Sequence, residues 1–265
     1  MMTAPAHLAL ATLATLALAA PTYAQQPLVA DRPDFTEATS TVGRGVIQIE
    51  FGYTLDLVRG DGASVQTHSL GEPLLRLGVL ADRLEVRVAA SPVARRTTLD
   101  GSSHGDTGIE DLYLGVKLAL SDQNGIVPAL AILPQTTLPT GTDGFSDDRV
   151  LPGVNLLYSW EVGDVLSLSA STQINRTIDE SGDDGADWAQ SLSGGVGLGD
   201  RHGLYGEWFA IFREGADGRQ AEHYVNAGLT WLVTVDLQWD IRAGAGLQDP
   251  ADELFVGAGL SVRLR

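Results

Sequence analysis

The feature that most constrains this chain is an alternation of apolar and polar residues with a period of two. Within residues 254–264, every even position is aliphatic, whereas the odd positions are mostly polar or small. A period of two places the aliphatic side chains on one face of a β-strand and cannot form the apolar stripe of an α-helix. This segment is therefore predicted to be an extended strand with one apolar face.

The same alternation recurs along most of the chain. It is clear in five further segments and weaker in six others, and helical repeats are absent. Together they predict about twelve antiparallel strands, each long enough to cross a bilayer when tilted. The clear segments are 47–57, 111–120, 166–175, 224–231 and 236–247, and the weaker ones are 66–79, 83–93, 126–139, 150–161, 187–199 and 203–213.

The connections between these segments alternate between short and long. Tight turns are predicted at 80–82 and 162–164, and longer loops at 95–107 and 140–148. Outer-membrane barrels have short periplasmic turns and longer outer loops. The sequence therefore predicts an all-β fold, a transmembrane antiparallel β-barrel over residues 44–265, in the outer membrane of a Gram-negative bacterium.

A soluble β-sandwich or a lipocalin-like barrel would also show alternation. Two observations favour the membrane barrel. The polar face is heavily charged, as expected for side chains that line water. Trp160 and Trp231 lie close to predicted tight turns, where an interfacial belt of aromatic residues would lie.

The N-terminus has the features of a signal peptide. Residues 1–24 contain no Asp, Glu, Lys or Arg, and residues 8–20 are almost entirely Ala, Leu and Thr. Small residues, Thr22 and Ala24, occupy the −3 and −1 positions of a cleavage site before Gln25. We predict that residues 1–24 are a cleaved signal peptide, that residues 25–43 form an N-terminal segment, and that no transmembrane helix follows.

Composition excludes several functions. The chain contains no cysteine, so it has no disulfide and no thiolate metal site. A formal net charge of −17 argues against nucleic acid as a partner. No histidine lies in a catalytic or zinc-binding motif. We therefore expect a protein that is not an enzyme and has no cofactor; its mature histidines are His68, His104, His202 and His223.

The predicted outer loops are rich in aspartate. Clustered carboxylates suit hard divalent cations, but no segment has the spacing of an EF-hand loop. We expect solvated acidic loops and no metal site. These residues are Asp143, Asp147, Asp148, Asp179, Asp183, Asp184 and Asp187.

Charged residues of both signs recur on the polar face of the strands, which would line the barrel interior. Two interpretations remain open. These charges line a water-filled passage and set its selectivity, or they pair across strands and close the interior. The lumen and selectivity candidates are Glu50, Arg76, Glu85, Arg87, Asp111, Lys117, Glu207, Glu222, Asp240, Arg242 and Arg263.

The N-terminal segment carries charges of both signs around a proline, Pro33. We hypothesise that this segment folds into the barrel, pairs with interior charges and acts as a plug. The alternative is a periplasmic tail without such contacts. The plug candidates are Asp31, Arg32, Asp34 and Glu37.

Several short motifs follow one another along the mature chain. They are DRPDFTE at 31–37, GVIQIEFGY at 45–53, LRLG at 75–78, RLEVR at 83–87, GIEDL at 108–112, LPTG at 138–141, NAGLT at 226–230 and GAGLSVR at 257–263. Each motif is weak alone, but their order covers nearly the whole mature chain. In this order they resemble the outer-membrane family described as "putative MetA-pathway of phenol degradation", whose members are often called transporters.

The resemblance implies an outer-membrane barrel that passes small solutes, with hydrophobic or aromatic compounds as the implied class. The sequence contains no nucleotide-binding loop, so passage is expected to be passive. The alternative is a closed structural or surface-binding barrel that interacts through its acidic loops. The expected partners are outer-membrane lipid and lipopolysaccharide, the barrel-insertion machinery and a small-molecule solute.

Overall fold

The computed structural model describes residues 26–60, 63–99, 101–178, 182–215, 218–247 and 253–265. The predicted signal peptide and the loop residue Asp179 lie outside these ranges. Within them, no helix is both long enough and apolar enough to span a membrane. The strands are β1 (Ile47–Gly60), β2 (Ala63–Gly78), β3 (Leu84–Ala89), β4 (Pro92–Leu99), β5 (Ser102–Ile109), β6 (Leu112–Ser121), β7 (Ala129–Leu138), β8 (Leu151–Val162), β9 (Leu166–Ile178), β10 (Asp184–Leu198), β11 (His202–Gly215), β12 (Gly218–Thr234), β13 (Leu237–Gly246) and β14 (Glu253–Leu264).

These strands form one closed antiparallel barrel of twelve strands. Consecutive strands pair with one another except β3 with β4 and β5 with β6, and β14 returns to pair with β1. Both β3 and β4 pair with β2, so β3 and β4 together act as one interrupted strand. In the same way, β5 runs on into β6, and these two also act as one interrupted strand. The predicted fold class, including its strand number, is confirmed.

Two loop assignments are wrong. Asp184 and Asp187 lie on β10 and not in an outer loop. Residues 95–107 are not a long loop but most of a β-hairpin in which Arg95 pairs with Asp106 across β4 and β5. Nearly all side chains of β5 are exposed. A hairpin that is solvated on both faces has no apolar side, so its strands lack the alternation that identifies the others.

Burial in this barrel is the reverse of burial in a soluble domain. The outward aliphatic side chains Ile241 and Val256 are 44% and 49% exposed, whereas the inward Asp240 and Glu50 are 1% and 0% exposed. A membrane barrel shows this pattern because lipid covers the apolar outer face and the interior is polar. The outer face of the strands is therefore suited to a hydrocarbon environment.

The closing pair fixes the register of the whole barrel. Strands β1 and β14 pair without interruption from Ile47 opposite Leu264 to Val58 opposite Glu253. A slip of one residue would turn each aliphatic side chain inward and each polar side chain outward. The alternation in both strands therefore specifies the register at which the sheet closes.

Tight connections gather at one end of the barrel, which we call the turn end; it includes residues 79–83, 163–165, 199–201 and 235–236. Both termini of the described chain lie there. The Leu28 backbone N–H donates to the Val235 carbonyl at 2.8 Å, and Arg263 Nη2 donates to the Gln26 carbonyl at 2.7 Å. The opposite end, which includes residues 139–150, is called the loop end.

The outward face predicts how stability depends on depth in the membrane. Ile241 lies midway along β13, so Ile241→Arg should destabilise the barrel by about 2–4 kcal/mol. Leu264→Arg, at the turn end, is the matched control and should cost about 0–1 kcal/mol. Urea unfolding in lipid vesicles, followed by tryptophan fluorescence, measures both costs. Equal costs at the two depths would contradict the assignment of this face to lipid.

Candidate functional site

Residues 26–43, which we call the inner segment, lie outside the regular strands and make side-chain contacts with the inward face of the barrel. Asp31 and Thr36 within it are buried. Asp31 contacts residues of β2, β3 and β6, whereas Thr36 contacts residues of β10 and β11 on another part of the wall. The inner segment therefore connects distant strands through the interior.

Three cations surround the Asp31 carboxylate. Oδ2 of Asp31 lies 2.9 Å from Arg87 Nη2, 3.0 Å from Lys117 Nζ and 3.3 Å from Arg76 Nη1. The side chains of all three cations are fully or almost fully buried. We call Arg76, Arg87 and Lys117 the basic triad. Its members come from β2, β3 and β6, whose inward positions face Asp31.

Other carboxylates hold the triad in place. Arg76 donates from Nη1 to Glu50 at 2.9 Å and from Nε to Glu85 at 2.8 Å. Arg87 donates from Nη1 to Glu37 of the inner segment at 2.6 Å. Buried charges persist only when they are paired and hydrogen bonded. One network meets this requirement, and it consists of the basic triad together with Glu50, Glu85, Asp31 and Glu37.

The charge of Asp31 follows from these neighbours. Burial alone would raise the pKa of Asp31, but the positive charges of Arg76, Lys117 and Arg87 outweigh it and hold this pKa below its ordinary value. The carboxyl group therefore stays ionised at neutral and mildly acidic pH. Its attraction to the triad is lost only when the pH falls below the ordinary range for an aspartate.

Glu207 on β11 binds the backbone of the inner segment. Its carboxylate accepts hydrogen bonds from the Phe35 N–H at 2.8 Å and from the Thr36 N–H at 2.7 Å. The Thr36 hydroxyl and the Asn226 amide also donate to it, both at 2.6 Å. Four donors satisfy a carboxylate without a cation, so this contact fixes the position of the segment through its main chain.

Asp34 lies beside Glu207 in a less favourable environment. Its carboxylate accepts a hydrogen bond from Ser193 Oγ at 3.2 Å. Burial and the negative charge of Glu207 raise the pKa of Asp34 well above its ordinary value. Asp34 therefore binds a proton more readily in the docked segment than it would in water.

Arg32 lies flat against the seam where the barrel closes. Gly52 of β1 and Gly259 of β14 are paired there, and a Cβ atom at either position would collide with the Arg32 guanidinium. Arg32 forms ion pairs with Glu72 and, at 3.5 Å, with Asp240. The two glycines thus leave room for a charged side chain of the inner segment to approach the sheet closely.

An aromatic stack lies between the inner segment and the wall. The Phe35 ring is parallel to that of Phe209 with a centroid distance of 4.5 Å, and Phe209 stacks on Tyr224 at 4.8 Å. Phe255 completes the cluster at 6.5 Å from Phe209. Arg242 lies 5.6 Å from the Phe255 ring and donates to the Pro33 carbonyl. The interior therefore has an apolar, aromatic wall opposite the basic triad.

Asp111 has a different role. Its carboxylate accepts hydrogen bonds from the backbone N–H groups of Thr140, Gly141 and Asp147 at 2.9–3.1 Å, which fixes the connection at 139–150. A cavity of about 300 Å³ lies beside this connection, with Tyr113 and Phe145 among its lining residues. In the part of the chain that the structure describes, no group of three or more His, Asp or Glu residues could hold a metal ion.

The structure brings together most of the sequence-predicted residues and separates three of them. Asp31, Arg32, Asp34 and Glu37 all contact or adjoin interior charges. The residues brought into these contacts are Glu50, Arg76, Glu85, Arg87, Lys117, Glu207, Asp240 and Arg242. Asp111 anchors a connection, Glu222 pairs with Arg213, and Arg263 pairs with Asp236 at the turn end.

Sequence reasoning missed Glu72 and the aromatic stack. Glu72 follows Gly71, whose positive φ accompanies an irregularity in the pairing of β1 with β2, so simple alternation does not predict its direction. Phe209, Tyr224 and Phe255 occupy inward positions, which alternation does predict. Their contact with one another depends on the register of β11 with β12, which places Phe209 opposite Tyr224, and on the approach of Phe255 from β14, and alternation alone gives neither.

The solved structures to which this chain is similar include bacterial outer-membrane proteins. The chain is similar to an outer membrane channel from Pseudomonas putida F1, with 14% identity and a TM-score of 0.71 over 85% of this chain and 98% of that one. It is also similar to the transport unit of the autotransporter AIDA-I from Escherichia coli, with 8% identity and a TM-score of 0.53 over 83% and 90% of the two chains. The NanC porin has 14% identity and a TM-score of 0.50 over 82% of this chain and all of that one. At these identities the similarity shows a shared fold.

No curated protein matches the chain at a significant level. A family model does match, and it extends over residues 30–264, which include the inner segment from Ala30 onward and every strand. The resemblance seen in the short motifs is thereby confirmed. The chain belongs to the family described as "Putative MetA-pathway of phenol degradation".

Proposed function

We propose that this protein is a passive outer-membrane channel for small solutes, and that the inner segment restricts the passage. The observation that carries this proposal is the position of Asp31, whose carboxylate pairs with three wall cations in the interior. The belt of exposed aliphatic side chains on the outer face supports a location in the outer membrane. The fold shared with channels and porins supports transport.

Aromatic side chains in the interior support the proposal that the solutes are small hydrophobic or aromatic compounds. Phe209, Tyr224 and Phe255 offer ring faces inside the barrel, and Phe35 of the inner segment stacks on Phe209. Aromatic rings favour stacked and edge-on contacts with one another. A planar solute could make the contacts with Phe209 that Phe35 makes in this structure.

The wall charges give the passage its selectivity in this proposal. With the inner segment docked, Asp31, Glu37, Glu50 and Glu85 all pair with the triad. When the segment is displaced, the same side chains face water and act on passing ions as a charged ring does in a pore. The sequence contains no nucleotide-binding loop, which supports passive movement down a concentration gradient.

Deletion of residues 25–40 tests the restriction directly. Because the deleted residues include Asp31, Phe35 and Thr36, the contacts with the triad and with Glu207 are lost, and single-channel conductance in a planar bilayer should rise. A matched variant replaces residues 25–40 with a Gly/Ser linker of equal length, which keeps the tail but removes its charges, and it should behave like the deletion.

The result that contradicts the proposal is an unchanged conductance in both variants. Heat-modifiable mobility on gels should first show that each barrel is folded. Silence from the wild type and from both variants would instead favour a closed structural or surface-binding barrel.

Asp34 should make the docking of the inner segment depend on pH. The pKa of Asp34 is raised in the docked segment, so the contribution of Asp34 to docking is fully present below the ordinary value of 3.8 and weakens as the pH rises above it. Channel openings should therefore become more frequent as pH rises, and Asp34→Asn should remove this part of the dependence. The measurement is opening frequency against pH in planar bilayers, with Asp122→Asn, an exposed pair partner of Arg83, as the control. An identical pH profile in Asp34→Asn and the wild type would show that Asp34 does not control docking.

A further inference from the structure

Among the residues that the structure describes, the side-chain hydrogen bonds of Lys117 all go to the inner segment. Its Nζ donates to Asp31 Oδ1 at 3.1 Å, to Asp31 Oδ2 at 3.0 Å and to the Ala38 carbonyl at 2.8 Å. Arg87 is in a similar position, because its two closest carboxylates are Asp31 and Glu37, both in the segment. Displacement of the segment would leave two buried cations without these partners.

The wall alone carries unbalanced charge at this place. The three cations of the basic triad face two wall carboxylates, Glu50 and Glu85, which both pair with Arg76. Without the inner segment, one positive charge is therefore left in excess at the triad itself, whereas Glu72 and Asp240 lose Arg32 at the closing seam. A buried charge of this kind requires a counter-charge, and a single anion would supply it.

The present occupant indicates which anion fits. Asp31 uses both oxygens: Oδ1 accepts from Lys117 and from the Ala38 N–H at 2.9 Å, whereas Oδ2 accepts from Lys117 and forms ion pairs with Arg87 and Arg76. Lys117 thus reaches both oxygens while the two arginines lie at one of them, an arrangement that suits a planar carboxylate. A spherical anion such as chloride has no second oxygen for the additional contact with Lys117.

We propose that the basic triad is a binding site for small organic carboxylates, that Asp31 occupies it as a tethered competitor, and that a carboxylate solute opens the channel by displacing Asp31. The proposal rests on the proposed function for its last step only. A ligand that binds the undocked state better than the docked one shifts the population toward the undocked state. The solute class of the channel then includes monocarboxylates.

The tether sets the concentration at which a solute can compete. A group held on a short chain has an effective concentration on the order of millimolar or more. The solute concentration must therefore exceed the intrinsic dissociation constant of the solute, because the tethered Asp31 competes for the same site. Removal of the Asp31 carboxylate should lower the solute concentration required.

Lys117 provides a reporter for this site because it is the only lysine in the chain. Incorporation of lysine labelled with ¹⁵N at Nζ gives one side-chain signal, which can be followed by NMR in detergent micelles. The probe is potassium acetate, which has the shape of the group removed by Asp31→Ala. Potassium chloride at equal ionic strength is the control.

In full-length Asp31→Ala, acetate should shift the Lys117 signal saturably and chloride should not. Half-saturation should occur at an acetate concentration at least tenfold lower than in the wild type. Adding Arg87→Gln to this variant should raise the half-saturating concentration at least tenfold. Adding Arg176→Gln, on an exposed side chain of β9, should leave it unchanged. If Asp31→Ala does not fold, Asp31→Asn replaces it in the same series.

Two measurements separate this inference from the proposed function. Absence of a saturable acetate shift in folded Asp31→Ala or Asp31→Asn would overturn the carboxylate site even if the channel conducts. A saturable shift with silent bilayers would support the site while contradicting the channel. In a conducting wild type, replacing chloride with acetate should increase opening frequency, and an unchanged frequency would overturn the competition with Asp31.

Discussion

The rest of the structure depends on one constraint, the neutralisation of charge inside a closed sheet. Closing the sheet with its aliphatic faces outward leaves the polar faces, with Arg76, Arg87 and Lys117, in a narrow interior. Desolvated cations are costly unless carboxylates surround them with good hydrogen-bond geometry. Glu50 and Glu85 meet part of this need from the wall, and Asp31 and Glu37 of the inner segment meet the remainder. The barrel and its inner segment are therefore one electrostatic unit.

The same unit explains why the inner segment has a defined path. Asp31 is fixed by the triad, the backbone at Phe35 and Thr36 by Glu207, and Arg32 by the space over Gly52 and Gly259. These contacts lie on different strands, so the segment is held from several sides of the barrel. They are also polar contacts, which water or a charged solute can replace more easily than it can replace packed aliphatic side chains. A segment held in this way is suited to controlled release.

Much of the fold could be predicted from the sequence because membrane barrels follow a period of two. Every even position of residues 254–264 is aliphatic, and the structure places that strand, β14, at the closing seam. The prediction failed at residues 95–107, where the β4–β5 hairpin is solvated on both faces and selection for an apolar side is absent. Periodicity reports contact with lipid, so it cannot detect a strand that has none.

The candidate site was predictable in composition but not in arrangement. Alternation assigns Glu85 and Lys117 to the interior, and the charges of residues 31–37 indicate complementary partners. It does not state which side chains meet across the barrel, because those contacts depend on strand order, stagger and the path of the inner segment. Glu72 shows the limit clearly, because an irregularity near Gly71 reverses the parity of inward positions along β2 and leaves its direction undetermined by alternation. The structure places it beside Arg32.

The pairing of wall and segment charges requires that the inner segment lie docked against the interior wall of the membrane-embedded barrel. The chain has no cysteine, so a single engineered pair reports on docking without interference. Thr36 Oγ1 lies 2.7 Å from Ser191 Oγ, and this account predicts that Thr36→Cys with Ser191→Cys forms a disulfide under mild oxidation in lipid vesicles. The matched pair Thr36→Cys with Ser103→Cys, on the exposed β5, should not cross-link. Failure of the first pair to cross-link in a barrel shown to be folded would contradict the docked segment on which the account depends.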